Sequence, residues 1–301
     1  MTIRAPRIPL CARAAPMRGF TLVEMITVIV ITAIIAAVVA VFIQAPVQGY
    51  VDTAARAELA DEADTAVRRM SRDLRLALPN SVRVSSDGKY LELLLTRTGG
   101  RYLDQEDGVT EGDGVHALDF GDSSALSFTT VGPVPPSSSD TSEQIQIGPA
   151  GQGDYVVIYN LGPGQDPANA YCGGDSCGNR AKIASVDGRV ITLAANPFAL
   201  QSPSLQSPSH RFQIVSTPVT YACTNGALER YADYPISSAQ PTPPGVAPDM
   251  LAKDVTGCLF SYSTLANVRS ALVGITLTMQ KTSTNSGKIT LFHQVHVDNT
   301  P

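Results

Sequence analysis

The sequence predicts an α+β fold: one long N-terminal helix, first transmembrane and then a stalk, packed on an antiparallel β-sheet domain. Three observations carry that expectation. Residues 25–43 form one apolar run, broken only by Thr27 and Thr32; as α-helix its nineteen residues span about 28 Å, close to the hydrocarbon thickness of a bilayer. Over 51–78 the apolar residues Val67, Met70, Leu74 and Leu78 recur at three- and four-residue spacing, one face of a helix. Beyond residue 80 the period drops to two, in short apolar runs divided by Gly, Pro, Asn and Asp. Composition agrees. Charged residues are 16% of 301, Gly and Pro number 24 and 21, and Trp is absent, which fits a loop-rich β domain better than a helical cytosolic enzyme.

From the N-terminus, residues 1–19 hold Arg4, Arg7, Arg13 and Arg18 and no acid. Basic residues before the apolar run and acids after it keep the amino end cytoplasmic and put the body on the far side of a single span. The membrane part is expected over 20–44 and the stalk over 45–80. Pro46 and Gly49 permit a kink or local melting there. Arg56, Glu58, Asp61, Glu62, Arg68, Arg69, Arg72, Asp73 and Arg75 read as a solvated face, and Pro79-Asn80 as the helix stop. The β-rich domain occupies 81–301. Strands are expected at 81–85, 90–96, 125–130, 155–160, 182–186, 190–194, 212–220, 259–263, 271–280 and 288–297. Asp87-Gly88 and Asp187-Gly188 are hairpin turns, and the last two strands form a closing antiparallel hairpin. The Pro-, Gly- or Ser-rich segments 132–142, 162–178 and 237–248 read as mobile or loop-like.

Glu24 stands at the mouth of the apolar run, where a carboxylate is costly unless it has a partner. Neither a secretory signal nor a plain signal anchor needs it. The stretch Arg18-Gly19-Phe20-Thr21-Leu22-Val23-Glu24-Met25 resembles the processing motif of type IV prepilins: a basic leader ending in Gly, then F-T-L-x-E and a retained apolar helix. The resemblance implies cleavage between Gly19 and Phe20 by a prepilin peptidase, loss of 1–19 as leader, and N-methylation of Phe20. Such a cut creates an α-amine on Phe20, with a reference pKa of about 8, cationic at neutral pH. In a core of packed helices Glu24 can pair with the amine of a neighbouring subunit, which makes it an assembly residue and not a catalytic one.

The body also resembles the MshO-like proteins of mannose-sensitive haemagglutinin (MSHA) pilus biogenesis. The pieces that carry this are Tyr50-Val51-Asp52, RLALPNSVRV at 75–84, YVVIYNLG at 155–162, Asn179-Arg180-Ala181, and PSHRFQIVSTPVTYACTNGALERYADY at 208–234. In the last piece V-x-Y-x-C and L-x-R-Y read as a strand, a turn at Asn225-Gly226 and a returning strand, with Cys258 able to staple Cys223 to the next strand. The resemblance implies an inner-membrane protein with a periplasmic body that later enters a filament. Its partners would be prepilin peptidase/methylase, other major and minor pilins and the inner-membrane assembly platform. A minor pilin that initiates or tips an MSHA-type pilus is the leading expectation. A minor pseudopilin of a type II secretion system has the same layout, and a tip adhesive module is a third possibility.

With the leader goes Cys11, leaving Cys172, Cys177, Cys223 and Cys258. An even number in an exported domain favours disulfides. Of three pairings, Cys172–Cys177 with Cys223–Cys258 is preferred, because the first pair closes a short Gly-rich loop. No second ligand pair at zinc spacing accompanies them. The acidic stretch Asp104, Glu106, Asp107, Glu111 and Asp113 offers hard oxygen ligands for calcium, but its spacing is not that of an EF-hand, so it is read as a solvated loop and no metal or cofactor is expected. His116, His210, His293 and His296 are scattered; the last two, three apart on a strand, point to opposite faces. No G-x-S-x-G, P-loop or H-E-x-x-H is present, and no enzyme is expected. Of the 22 basic residues four lie in 1–19, so the remainder sets 18 against 27 acids, a formal net of −9. Such a body does not suit nucleic acid.

Overall fold

The computed structural model describes residues 19–104, 114–134, 145–148, 151–264, 269–281 and 287–301. The chain divides into two compact units, Met1–Val51 and Asp52–Pro301. Helix α1 (Leu22–Arg75) is unbroken, with Pro46 inside it. Pro46 has no N–H for the carbonyl four residues back, yet no melted turn accompanies that loss. In the first unit every described side chain, from Gly19 to Val51, is exposed.

In the second unit α1 buries Ala55, Leu59, Ala63, Ala66, Val67, Met70 and Leu74, a stripe at three- and four-residue spacing. The helix ends at Arg75, three residues before the expected Leu78. A residue preceding proline is disfavoured in helical dihedrals, and Pro79 puts that bias on Leu78. The chain instead turns onto the sheet: Thr96 N donates to Leu76 O (2.7 Å) and Leu78 N to Leu94 O (2.7 Å). Asp73, expected on the solvated face, is buried; its partners are described below.

Twelve strands follow among the described residues: β1 (Arg83–Val84), β2 (Tyr90–Arg101), β3 (Ser127–Thr129), β4 (Tyr155–Val157), β5 (Arg180–Asp187), β6 (Val190–Leu193), β7 (Arg211–Thr224), β8 (Ala227–Tyr231), β9 (Asp249–Ala252), β10 (Val255–Thr264), β11 (Ser270–Met279) and β12 (Ile289–Asp298). The antiparallel β domain holds two sheets. One runs β1-β2-β7-β4-β5-β6-β3, with β8 on β7 and β9 on β8; the other is β10-β11-β12. All paired strands are antiparallel. Both Asp-Gly turns join paired strands, β1–β2 and β5–β6. Strand β9 and a 3₁₀ turn at Pro197–Leu200 fall where the sequence analysis assigns no element.

Strand β7 organises the large sheet. One side pairs β2 along most of its length; the other pairs β4 over Gln213–Val215 and β8 over Thr220–Thr224. Between those two partners sits Pro218, which has no N–H to give a ladder, and register shifts opposite it fall at Leu94/Thr96 and Thr96/Thr98. The sheet therefore forks. On one branch the α1 stripe shares a core with Leu91, Leu93, Val219 and Tyr221 of the large sheet and Val273, Ile275, Leu277 and Val295 of the small one. On the other, Tyr102, Phe128, Val156, Ile183, Phe198 and Phe212 form a second core away from the helix.

Loop 162–178 has no regular structure, in keeping with its loop-like composition, but it is anchored. Tyr171 is fully buried and donates to Ser81 O (2.8 Å). Arg180, also buried, donates to the carbonyls of Ala170 (2.8 Å), Cys172 and Gly174. Burial holds its guanidinium down to about 10, with Tyr155 and Asp175 opposing. The Cys172–Cys177 disulfide closes this loop, and Cys223–Cys258 joins β7 to β10, tying one sheet to the other. Segment 237–248 is irregular, while 135–142 lie outside the described residues.

Asn80, at φ 61°, donates through Nδ2 to Asn160 O (2.8 Å) and Asn299 O (3.2 Å), while Asn160 Nδ2 donates to Pro79 O (2.7 Å). Gly162 lies against this knot at φ +99°, and a Cβ there would stand 2.6 Å from Asn80 O. Gly188 has a comparable φ of +58° but open space. Both glycine-to-alanine changes should cost about 1 kcal/mol for the backbone. Gly162→Ala should cost clearly more than Gly188→Ala in thermal unfolding, because only it meets a carbonyl; equal losses would refute the close approach.

Candidate processing and assembly site

The predicted processing residues occupy an open helix start. Gly19 has nothing within 4 Å of where a Cβ would stand, and Phe20 is 77% exposed. Thr21 caps α1: its Oγ1 accepts from Glu24 N at 3.3 Å. Thr21-x-x-Glu24 is the sequence form of a capping box, a signal the sequence reading passed over, and it puts the carboxylate of Glu24 in the first turn, where the helix dipole favours an anion. The two polar residues of the apolar run turn inward on their own helix. Thr27 Oγ1 donates to Glu24 O (3.0 Å), and Thr32 Oγ1 to Val28 O (2.8 Å) and Ile29 O (3.1 Å). Neither carries an unpaired hydroxyl into an apolar surrounding. By length and composition α1 can cross a membrane.

Within the second unit, α1 is held to the sheets by more than apolar contact. Asp73 Oδ2 accepts from Tyr221 Oη on β7 (2.6 Å) and from Arg230 Nε on β8 (3.2 Å). Burial, then the carboxylate beside it, pushes the Tyr221 phenol well above its ordinary value; Arg230 is raised, burial being outweighed by Tyr221 and Asp73. Nearer the N-terminal end of this segment, Glu62 Oε1 accepts from Lys253 N (2.7 Å) and Glu58 pairs with Lys281. A second buried carboxylate, Glu92 on β2, pairs with Arg83 and accepts from Tyr234 Oη (3.0 Å), which lies 2.6 Å from Thr220 Oγ1. The Arg83 guanidinium sits 3.8 Å from the Tyr171 ring centroid.

Other candidates from the sequence do not come together. Asp104, first of the acidic stretch, is buried with Oδ2 3.7 Å from His210 Nε2, while Glu106, Asp107, Glu111 and Asp113 lie outside the described residues. His293 is half-buried and His296 exposed on β12. Among the described residues no three His, Cys, Asp or Glu side chains converge as a metal site would require.

Residues 16–40 match the family model described as the prokaryotic N-terminal methylation motif. No curated protein matches the chain, and no solved structure does. The motif, with a long apolar N-terminal helix and antiparallel sheets behind it, supports the class of type IV pilins and pseudopilins: membrane-anchored structural subunits, processed by prepilin peptidase and assembled with other pilins.

Two predictions follow from the buried carboxylates. Asp73→Ala strands Arg230 and Tyr221 without their acceptor and should cost about 3–5 kcal/mol in urea unfolding of the full chain in detergent. Arg69→Ala, at an exposed site, should stay within about 0.5 kcal/mol; comparable losses would remove Asp73 from the helix anchor. Glu92 is raised, burial exceeding the opposing hydrogen bonds and the charge of Arg83. Its folded form thus holds a proton at pH values where the unfolded chain has released it. Stability from this group falls as pH rises from the ordinary carboxylate value through the raised one. The advantage of wild type over Glu92→Gln should therefore widen as pH drops from 7 toward 4.5. A narrowing would mean that the Arg83 pair governs instead.

Proposed function

We propose that the chain is a minor pilin-like subunit of an MSHA-type type IV pilus, acting in initiation or at the tip. Prepilin peptidase cuts between Gly19 and Phe20, Phe20 is N-methylated, and Glu24 pairs with the Phe20 amine of a neighbouring subunit. The inner membrane holds the precursor by α1, the body faces the periplasm, and the assembly platform passes the subunit into the filament. The observation that carries this is the conjunction of a methylation motif with an apolar helix whose side chains are all exposed over 19–51. A large β-rich body favours a minor subunit, and the pieces likened to MshO-like proteins favour the MSHA system. Capping by Thr21 gives Glu24 a second role, but a dipole contribution of about 0.3–1 kcal/mol is small beside the cost of a lone carboxylate at bilayer depth.

Mass spectrometry of the mature amino end should find N-methyl-Phe20; an end at Met1, or beyond residue 43, would overturn the reading. Glu24→Ala should leave cleavage intact and lower incorporation into filaments about tenfold or more, as expected for the loss of a buried charge pair. Incorporation at the wild-type level would remove the assembly role. Deleting the gene while scoring piliation, protein secretion and adhesion separately distinguishes the pilus from a type II secretion pseudopilus and from a tip adhesin.

A further inference from the structure

We propose that the outer edge of β12, with the basic groove beside it, receives an extended, carboxylate-bearing segment of a partner subunit as a fourth strand of the small sheet. The edge and the groove carry the site itself, while the identification of its occupant as a partner subunit rests on the filament reading above.

Strand β12 ends the β10-β11-β12 sheet, and among the described residues no backbone hydrogen bond reaches it from outside. The opposite edge is covered: on β10, Phe260 N donates to Gly88 O (2.8 Å) and Val255 N to Gly226 O (2.9 Å), both from hairpin turns of the large sheet. Soluble proteins blunt open edges with Lys, Pro, bulges or short strands. Strand β12 uses none of these. It pairs with β11 over ten residues without a register shift, holds no Pro, Lys or Arg, and carries its one acid at the last position, Asp298. A long, regular edge of this kind is a template for strand addition.

The groove identifies what the added strand carries. A cleft of about 550 Å³ lies between α1 and β12, lined among others by Arg68, Arg72, Arg75, Leu76, Leu291 and His293. It marks where the small sheet stops beside the helix, so the inner face of a fourth strand would lie over it. The three arginines, four and three residues apart, share one helix face. Arg68 is paired with Asp64 at 2.6 Å, whereas among the described residues Arg72 and Arg75 have no ion-pair partner. They form a basic stripe on a body of formal net charge −9. Because strand side chains alternate, an occupant fits when carboxylates on its inner face meet Arg72 and Arg75. Its outer face lies beside Phe292, which is 62% exposed.

The test uses the full chain in detergent micelles and labelled ten-residue peptides, read by fluorescence anisotropy and by amide exchange over 289–298. A capped peptide of alternating Glu and Val should bind and slow exchange in β12, while the Lys-Val counterpart should not bind. The double variant Arg72→Glu/Arg75→Glu, with an unchanged circular-dichroism spectrum, should bind Glu-Val about tenfold or more weakly. N-methylating alternate peptide residues should abolish binding in one alternation and spare it in the other, since a strand pairs through one edge. Equal binding of the Glu and Lys peptides overturns the charge assignment; tolerance of N-methylation in both alternations overturns strand addition. Self-association of the wild-type chain that the double variant abolishes would overturn the partner assignment and make a second copy the occupant.

Discussion

Burying an aliphatic side chain is worth about 1.5–3 kcal/mol, and over residues 19–51 α1 collects none of that within its own unit. Phe20, Val41 and Phe42 are each more than two-thirds exposed. A helix that apolar has to be covered by lipid or by other helices of its kind, and the remaining features of the segment are adjusted to that need. Its two threonines return their hydroxyls to helix carbonyls, and its backbone donors are satisfied internally, as an apolar medium demands. The proline at 46 is tolerated without a break. Only Glu24 keeps a charge that the segment itself does not neutralise, and its cap at Thr21 orients the turn without removing that charge.

The lower part of the same helix faces the opposite demand, because it must hold the body. Its stripe from Ala55 to Leu74 is shared between two sheets, so neither sheet's inner face is complete without it. The Cys223–Cys258 disulfide ties those sheets where they meet, closing a loop of 35 residues; in the chain-entropy account such a link is worth about 4 kcal/mol. Buried Arg180 and the Asn80–Asn160–Asn299 knot then fasten the irregular loops whose backbone carbonyls would otherwise lack donors.

Much of this was legible in the sequence, for local reasons. The apolar run, the helical stripe, both Asp-Gly hairpins and the closing β11–β12 pair each declare themselves within about a dozen residues. The processing motif is still more compact. What escaped was non-local. Asp73 looks like one charge among nine on a solvated face; its partners Tyr221 and Arg230 lie 148 and 157 residues away. Glu92 gave a clearer sign, a carboxylate inside the apolar Leu91–Leu94 run, which period-two reading absorbs as an outward residue. The division into two sheets follows from pairings across the whole chain and from Pro218 in mid-strand, and no local pattern encodes it. The quoted pieces around Asn80, Asn160 and Asn179 are brought together in space: Asn179 Nδ2 donates to Asn160 Oδ1 at 3.3 Å.

Apolar packing has no direction, and that gives the buried Asp73 a purpose beyond stability. A stripe of Ala, Leu, Val and Met repeating every three or four residues fits a sheet groove nearly as well after sliding by one turn, about 5.4 Å. Buried ion pairs contribute little net stability against apolar replacements, their best-attested use being to fix register. Among the described residues three such pairs occur: Arg83–Glu92 within a hairpin, Arg97–Asp154 between β2 and the start of β4, and Asp73–Arg230 between α1 and β8. Only the last spans helix and sheet. Sliding α1 by a turn would strand a carboxylate, a guanidinium and a phenol at once, so the shifted packing is excluded by electrostatics where apolar contact alone would permit it. A body that hangs from a helix needs that discrimination more than it needs the extra free energy.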